Sequence, residues 1–308
     1  MVSNVDMSVD LAGIKLKNPI NTASGTYGYG WQFESFYDVS QLGAITTKGC
    51  AAEAWPGNPA PRMTEVTSGM MNSVGLQNPG VRGLIEGSGE YLQELSDKGT
   101  AVICQVAGHS VEEYVAAVEL FEELAPFAAG LEINISCPNI AAGGCAMGST
   151  PEGAAGVIRA VRPHTKKPLL VKMAPARVVD VAKALEAEGA DALTVINSIP
   201  GMAIDVNTRR SKLSRPTGGM SGPALHPIAV RMVWEVHNAV SLPIVGVGGV
   251  MTGADAAEFI LAGATSVSVG MANLVDPMAA PRILGELTEW AESQGVSNIS
   301  ELIGAFEG

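Results

Sequence analysis

Eight short apolar runs, each bounded by Gly, Pro or Asn and most followed by helical periodicity, predict an α/β fold closed as a (β/α)8 TIM barrel. Length agrees: 308 residues suits one barrel domain over residues 1–308 with room for insertions, about 250 being typical. Composition agrees too. Aromatics are only 5% against 36 Gly and 18 Pro, which suits a core of Val, Ile, Leu and Ala joined by tight turns.

In chain order the expected strands are 19–25, 44–49, 101–108, 130–137, 168–175, 190–198, 243–250 and 265–271. Helical patterns cover 111–127, 151–161, 178–188, 223–240, 253–261 and 277–293. Strands separated by helices imply right-handed crossovers and a parallel sheet. An open doubly wound sheet is the alternative, but no GxGxxG follows an early strand and no Walker-type loop is present. Three segments fall outside the repeat. Residues 5–17 read as a short N-terminal β-hairpin capping the bottom of the barrel. Residues 50–77, with WPGNPAPR, and 199–222, with TGGMSG, are long loops expected on the active face, where loops following barrel strands lie.

Charge narrows the function. A net charge of -12 argues against a nucleic-acid surface, which needs clustered Lys and Arg. The opening MVSNVDMSVDLAG has no basic flank before an apolar run, so no signal peptide is expected, and no apolar stretch approaches the ~20 residues of a membrane span. The four cysteines form no CxxC pair, which speaks against a zinc ribbon or an iron–sulfur cluster held by this chain alone. A cytoplasmic protein with reduced thiols and no membrane or nucleic-acid partner is the expectation.

The carboxyl ends of the expected strands present Ser24, Lys48, Gln105, Asn134 with Cys137, Lys172, Asn197 with Ser198, Gly248-Gly249, and Gly270. Acids and histidines are almost absent there, so neither a metal cage nor a carboxylate acid/base pair is indicated and no metal is expected. Amides offer donor and acceptor together, which suits a planar heterocycle with alternating N–H and C=O edges. Two lysines could stabilise an anion formed when such a ring is reduced. The last two strand ends suit a phosphate, with the N–H groups of the helix beginning at Gly253 facing it and Thr252 and Asp255 forming a capping-box pattern. Phosphate plus heterocycle without a dinucleotide fingerprint points to a mononucleotide such as FMN, although barrels need glycines at these turns anyway.

Individual residues weigh differently. Lys48 alone reads first as a solvated charge. Lys172, inside Leu169–Ala174, would be costly to bury without a partner, so function is favoured. Asn134 carries a similar cost. Cys50 and Cys104 read as small hydrophobes, Cys145 receives no role, and His109, His164, His226 and His237 read as structural. In EINISCPN, Glu132, Asn134 and Ser136 alternate with Ile133 and Ile135, and Cys137 stands immediately before Pro138, where a strand ladder stops. The alternation leaves open whether that cysteine is a hydrophobe or a reactive thiol.

The segment NISCPN (134–139) is similar to the active-site signature of class 1 dihydroorotate dehydrogenases. Further matches run through the chain: TASGTYGYG (22–30), TTKG (46–49), GNPAPR (57–62), NSVGLQNPG (72–80), VKMAP (171–175), INS (196–198), GGMSGPA (218–224) and GVGGV (246–250). GNPAPR followed by NSVGLQNPG resembles the B type. In that type a homodimer of FMN-bearing catalytic chains forms a heterotetramer with a subunit carrying FAD and a [2Fe-2S] cluster, which passes electrons to NAD+.

The resemblance implies oxidation of (S)-dihydroorotate to orotate in pyrimidine (UMP) biosynthesis, with Cys137 removing the C5 proton and hydride passing from C6 to FMN N5. It places substrate on Lys48, Asn72, Ser73, Val74, Gly75, Leu76, Asn134, Asn197 and Ser198. It places FMN on Ser24, Lys48, Gly49, Asn134, Lys172, Ile196, Gly222, Gly248, Gly249, Gly270 and Met271. Three positions depart from the family pattern: Ser198 where Thr is expected, Met147 where Phe is frequent, and Met271 in place of a small hydroxyl residue. A homodimeric fumarate-using relative, a flavin barrel acting on dihydropyrimidines, and a barrel that has lost catalysis are the rival readings.

Overall fold

The computed structural model describes residues 5–136 and 147–308. Eight parallel strands form the central sheet: Ile20–Thr22, Ala44–Thr46, Ala101–Val106, Ala128–Asn134, Leu169–Lys172, Ala192–Val195, Ile244–Val247 and Ser266–Val269. Each of the expected runs contains or overlaps one of them. The sheet closes between its first two members in chain order, where Gly43 N–H donates to the Ile20 carbonyl and Thr46 N–H to Thr22 Oγ1. The result is a (β/α)8 barrel. From the second strand on, the chain returns between successive strands over the outside as helix, the usual connection of a parallel pair, whereas the first two strands are joined through the short turns Ser24–Tyr27, Trp31–Phe33 and Val39–Gln41.

Local chemistry explains the helix starts. Ser110 caps Val111–Leu124 by accepting from Glu113 N–H, and Thr150 caps Pro151–Val161, whose proline occupies the first turn where its missing N–H costs nothing. Thr252 and Asp255 form the expected capping box on Gly253–Leu261. Several expected boundaries shift by one to three residues: the helix beginning at Val111 stops at Leu124, residues 223–225 are a 3-10 turn before the helix His226–His237, which ends short of 240, and the last long helix is Ala279–Gln294.

Sequence patterning passed over the helix Gly80–Asp97, whose GVRGLIEGSGEYLQELSD carries repeated glycines that each cost roughly 1 kcal/mol of helix propensity. Burial of Val81, Leu84, Leu92 and Leu95 on one face overrides that cost. The N-terminal hairpin pairs Val9–Leu11 with Ile14–Leu16, burying Val9, Leu11, Ile14 and Leu16 while Asp10 and Lys15 face water. Ile14 packs where Gly130, early in the fourth strand, leaves room, which seats the hairpin at the bottom of the barrel.

The two long loops are stitched together. Met63–Val66, Gly69–Asn72, Gly218–Ser221 and Ile199–Gly201 make one antiparallel sheet, in which Gly219 pairs with Asn72 and Met220 with Ile199. Met71, Ala203 and Leu213 form a small apolar cluster of their own under it. Loops from the second and sixth strands are thereby held as one roof. No helix among the described residues is long and apolar enough to cross a membrane.

Candidate active site

Inside the barrel, apolar packing gives way to polar side chains toward the carboxyl ends of the strands. Thr22, Ser24, Thr46, Glu132, Lys172, Thr194 and Ser268 line one narrow space. Glu132, 2% exposed, accepts from Gln105 Nε2 at 2.6 Å and from Thr194 Oγ1 at 2.5 Å. Lys172 is 7% exposed, and among the described residues its ammonium has no hydrogen-bond or ion-pair partner. Burial pushes its pKa down, with the Glu132 charge opposing the shift. A buried cation left in that state is expensive, and it marks where an electron-rich or anionic group would be welcome.

From Glu132 a directed chain of hydrogen bonds climbs to the rim. Asn134 Nδ2 donates to Gln105 Oε1 at 3.3 Å, Ser136 Oγ donates to Asn134 Oδ1 at 2.7 Å, and Asn197 Nδ2 donates to Ser136 Oγ. Asn197 Oδ1 in turn accepts from Ser198 N–H at 2.8 Å. Alternation along the fourth strand makes this possible, since Glu132, Asn134 and Ser136 share one side while Ile133 and Ile135 bury on the other. Gly49 completes the arrangement: a Cβ there would lie 2.5 Å from Gln105 Oε1. Lys48, half-buried, stands just past the second strand with its N–H on the Gly28 carbonyl at 2.7 Å.

The roof brings in the remaining polar positions. Asn58 donates to the Ser73 carbonyl and Oγ at 3.1 Å, and its N–H reaches the Val74 carbonyl at 2.9 Å. This holds 73–76 in a turn with Gly75 and Leu76 at φ 73 and 51. Asn72 Nδ2 donates to the Gly219 carbonyl at 3.4 Å, and Gly219 leaves room for Ser198 Oγ, which a Cβ would meet at 2.1 Å. Asn72 and Ser198 are thus brought together from separate loops.

Glycines from the last loops form a cradle. Gly222, Gly248 and Gly249 have φ of 116, 148 and 71, a region that side chains disfavour. A Cβ on Gly222 would lie 2.9 Å from Met271 Sδ, and one on Gly249 would lie 2.7 Å from the Gly222 carbonyl. Loops after the sixth and seventh strands therefore meet at backbone distance, and the Met271 side chain from the loop after the eighth closes on them. Gly270 follows the eighth strand, with its carbonyl accepting from Asn273 N–H, and Ile196 follows the sixth, N–H on the Val247 carbonyl.

The expectation that the helix beginning at Gly253 points its first N–H groups at an anion needs correction. Gly253 N–H is taken by Glu286 Oε2 at 2.6 Å, and Asp255 N–H by Thr252 Oγ1. A carboxylate from the last long helix already occupies that terminus. His226, read as structural, packs under the cradle with Nδ1 at 3.2 Å from the Gly248 carbonyl and Nε2 at 3.3 Å from Glu258. With Asp255 these side chains make a polar cluster outside the barrel mouth.

Cys137 and Cys145 lie outside the described residues. Cys50 and Cys104 are fully buried; burial pushes the Cys50 thiol up to about 11 and raises Cys104 as well, so both are inert. Sequence reading gave Glu132 no role, placed Gln105 at a strand end without assigning it one, and left Thr194 and Asn58 out of the site. A buried acid alternating with an amide and a hydroxyl on one strand face was the available signal.

The sequence profile named Dihydroorotate dehydrogenase matches residues 6–290. The chain belongs to the dihydroorotate dehydrogenase family. Curated relatives run its full length: 47% identity over 304 residues with a protein of Geobacter metallireducens, covering 98% of both chains. A Geotalea uraniireducens protein is 48% identical over 303 residues, again 98% of both. A Lachnoclostridium phytofermentans protein is 47% identical over 305 residues, 98% of this chain and 100% of its own. Each is named dihydroorotate dehydrogenase B (NAD(+)), catalytic subunit. Within this dehydrogenase family barrel, the polar interior and the glycine cradle lie on the face formed by loops following strands, where barrel enzymes carry their chemistry.

Proposed function

We propose that the chain is a single FMN-binding barrel domain, the catalytic subunit of an NAD+-linked dihydroorotate dehydrogenase that oxidises (S)-dihydroorotate to orotate for UMP synthesis. The observation that carries the reading is Lys172, a buried lysine without a hydrogen-bond partner among the described residues, in a space shared with Val247, the residue that leads into the Gly248-Gly249 pair of the cradle. Near full-length identity to relatives named as B-type catalytic subunits supports the choice of substrate and acceptor.

These residues fit FMN. Gly222, Gly248, Gly249, Gly270 and Met271 would receive its phosphate through backbone N–H groups, and Ser24, Lys48, Gly49, Asn134, Lys172 and Ile196 would surround its ring. When bound, FMN supplies an acceptor for a hydride equivalent. The chain's own residues do the rest. Cys137 takes the C5 proton, which requires its thiolate; an ordinary thiol pKa of about 8.5 calls for some lowering or an alkaline optimum. Lys48, Asn72–Leu76, Asn134, Asn197 and Ser198 hold the pyrimidine ring and its carboxylate, and the Lys172 amine is set to donate, and to take up positive charge, where negative charge develops. Roof and rim exclude water from the ring.

Electrons then leave through a partner subunit carrying FAD and a [2Fe-2S] cluster, in a cytoplasmic heterotetramer built on a dimer of this chain. The test is purification with and without that partner. The chain alone should oxidise dihydroorotate with an artificial dye, and should reduce NAD+ only when the partner is present. Turnover with fumarate by the chain alone would assign it instead to the homodimeric type.

A further inference from the structure

We propose that Gln105 is a positioning residue: gripped by Glu132, it fixes the Asn134 amide so that an N–H rather than a carbonyl is presented to the substrate ring. This rests on the reading above that Asn134 and Asn197 touch the pyrimidine. The argument comes from donor and acceptor identities at the two ends of the chain of side chains. At the lower end a carboxylate can only accept, so Gln105 must turn its Nε2 toward Glu132 Oε1, 2.6 Å away, and its Oε1 toward Asn134. Asn134 must then offer Nδ2 to that oxygen. At the upper end a backbone N–H can only donate, so Asn197 turns Oδ1 to Ser198 N–H and Nδ2 toward Ser136 Oγ. The Ser136 hydroxyl, accepting from Asn197, gives its proton to Asn134 Oδ1. Both ends impose the same polarity on every group between them.

The consequence at the rim is definite. Asn134 Oδ1 accepts from both Ser136 Oγ and Ser136 N–H, and Asn197 Oδ1 accepts from Ser198 N–H. Each amide nitrogen gives one hydrogen to this chain, which leaves each with a second. The pair therefore meets the ligand as donors and favours a ring edge of carbonyl or carboxylate oxygens. Gly49 is part of the device, because any Cβ there would displace Gln105 Oε1.

The experiment measures orotate binding to the yellow holoprotein through perturbation of its flavin spectrum, together with flavin content and melting temperature. Gln105→Met keeps the volume and removes both hydrogen bonds; orotate should bind roughly 10-fold or more weakly while the protein stays yellow. Glu132→Gln alone should bind orotate more weakly than the native protein but more tightly than Gln105→Met, because the amide introduced there can still accept from Gln105 but no longer compels it to donate. The exchange Gln105→Glu with Glu132→Gln keeps the polarity. Its relocated carboxylate accepts from Asn134 and from the relocated amide, and binding should recover to within about 3-fold. Native-like binding by Gln105→Met, or a yellow exchange variant that fails to recover, would overturn the assignment. Failure of Gln105→Met and the exchange variant alike to yield folded yellow protein would make the pair a matter of barrel stability and overturn it too. If the native protein itself does not bind orotate, the functional reading fails first, which separates the two.

Discussion

Lys172 and Glu132 line the same polar space on adjacent strands, and the carboxylate only partly offsets the burial that holds the ammonium's pKa down. Glu132 spends both oxygens on Gln105 and Thr194, so Lys172 has its charge opposed but its hydrogens unclaimed by either. A first prediction follows from the sign of the shift. Without flavin, unfolded chains bind more protons than folded ones between the depressed pKa and the ordinary lysine value of about 10.4. Stability from this group is complete above the ordinary value and is lost as pH falls through the folded pKa. Flavin-free Lys172→Met should lack that dependence and be at least as stable as the native chain at neutral pH, while binding flavin roughly 10-fold or more weakly. Denaturant melts at a series of pH values and a flavin titration read both effects.

The cradle predicts a second outcome. Gly249→Ala puts a Cβ 2.7 Å from the Gly222 carbonyl and 2.8 Å from His226 N at a positive φ. A cost of about 1–3 kcal/mol is expected, with flavin lost on purification. Gly285→Ala, in a helix where a Cβ meets nothing within 4 Å, should instead stabilise by roughly 0.5–1 kcal/mol. Melting temperatures of the two variants should move in opposite directions.

At the start of the helix Gly253–Leu261, Thr252→Ala removes the acceptor for Asp255 N–H and should cost about 1 kcal/mol. Asp255→Ala should cost more, because Oδ2 accepts from both Met251 N–H and Thr252 N–H at 2.8 Å. Equal melting temperatures for the two variants would contradict this reading.

Much of this was legible in the sequence because it depends on period and punctuation. Eight apolar runs between glycines and prolines located every barrel strand, and the alternation in EINIS put Glu132, Asn134 and Ser136 on one side. What escaped is non-local. Nothing in Gly69–Asn72 or Gly218–Ser221 alone announces that they pair, since their register comes from loops separated by most of the barrel. The helix Gly80–Asp97 was hidden by its glycines, and the Gly253 terminus was misjudged because Glu286, which fills it, is distant in sequence. Gln105 looked like one amide among several until its partners were fixed in space.

Cys137→Ser should keep its flavin and oxidise dihydroorotate far more slowly at neutral pH, the deficit narrowing as pH is raised, because a hydroxyl is a weaker base than a thiolate at the same position. Stopped-flow traces of flavin reduction across pH read this directly. Native-like rates at neutral pH would remove Cys137 from the base role.

The most direct measurement of the central claim is the visible spectrum of the purified protein under anaerobic conditions, before and after addition of dihydroorotate. The account predicts a yellow protein whose flavin band bleaches on addition, with orotate formed in equal amount. A colourless protein that takes up no FMN, or a flavin band that dihydroorotate leaves unchanged, would contradict it.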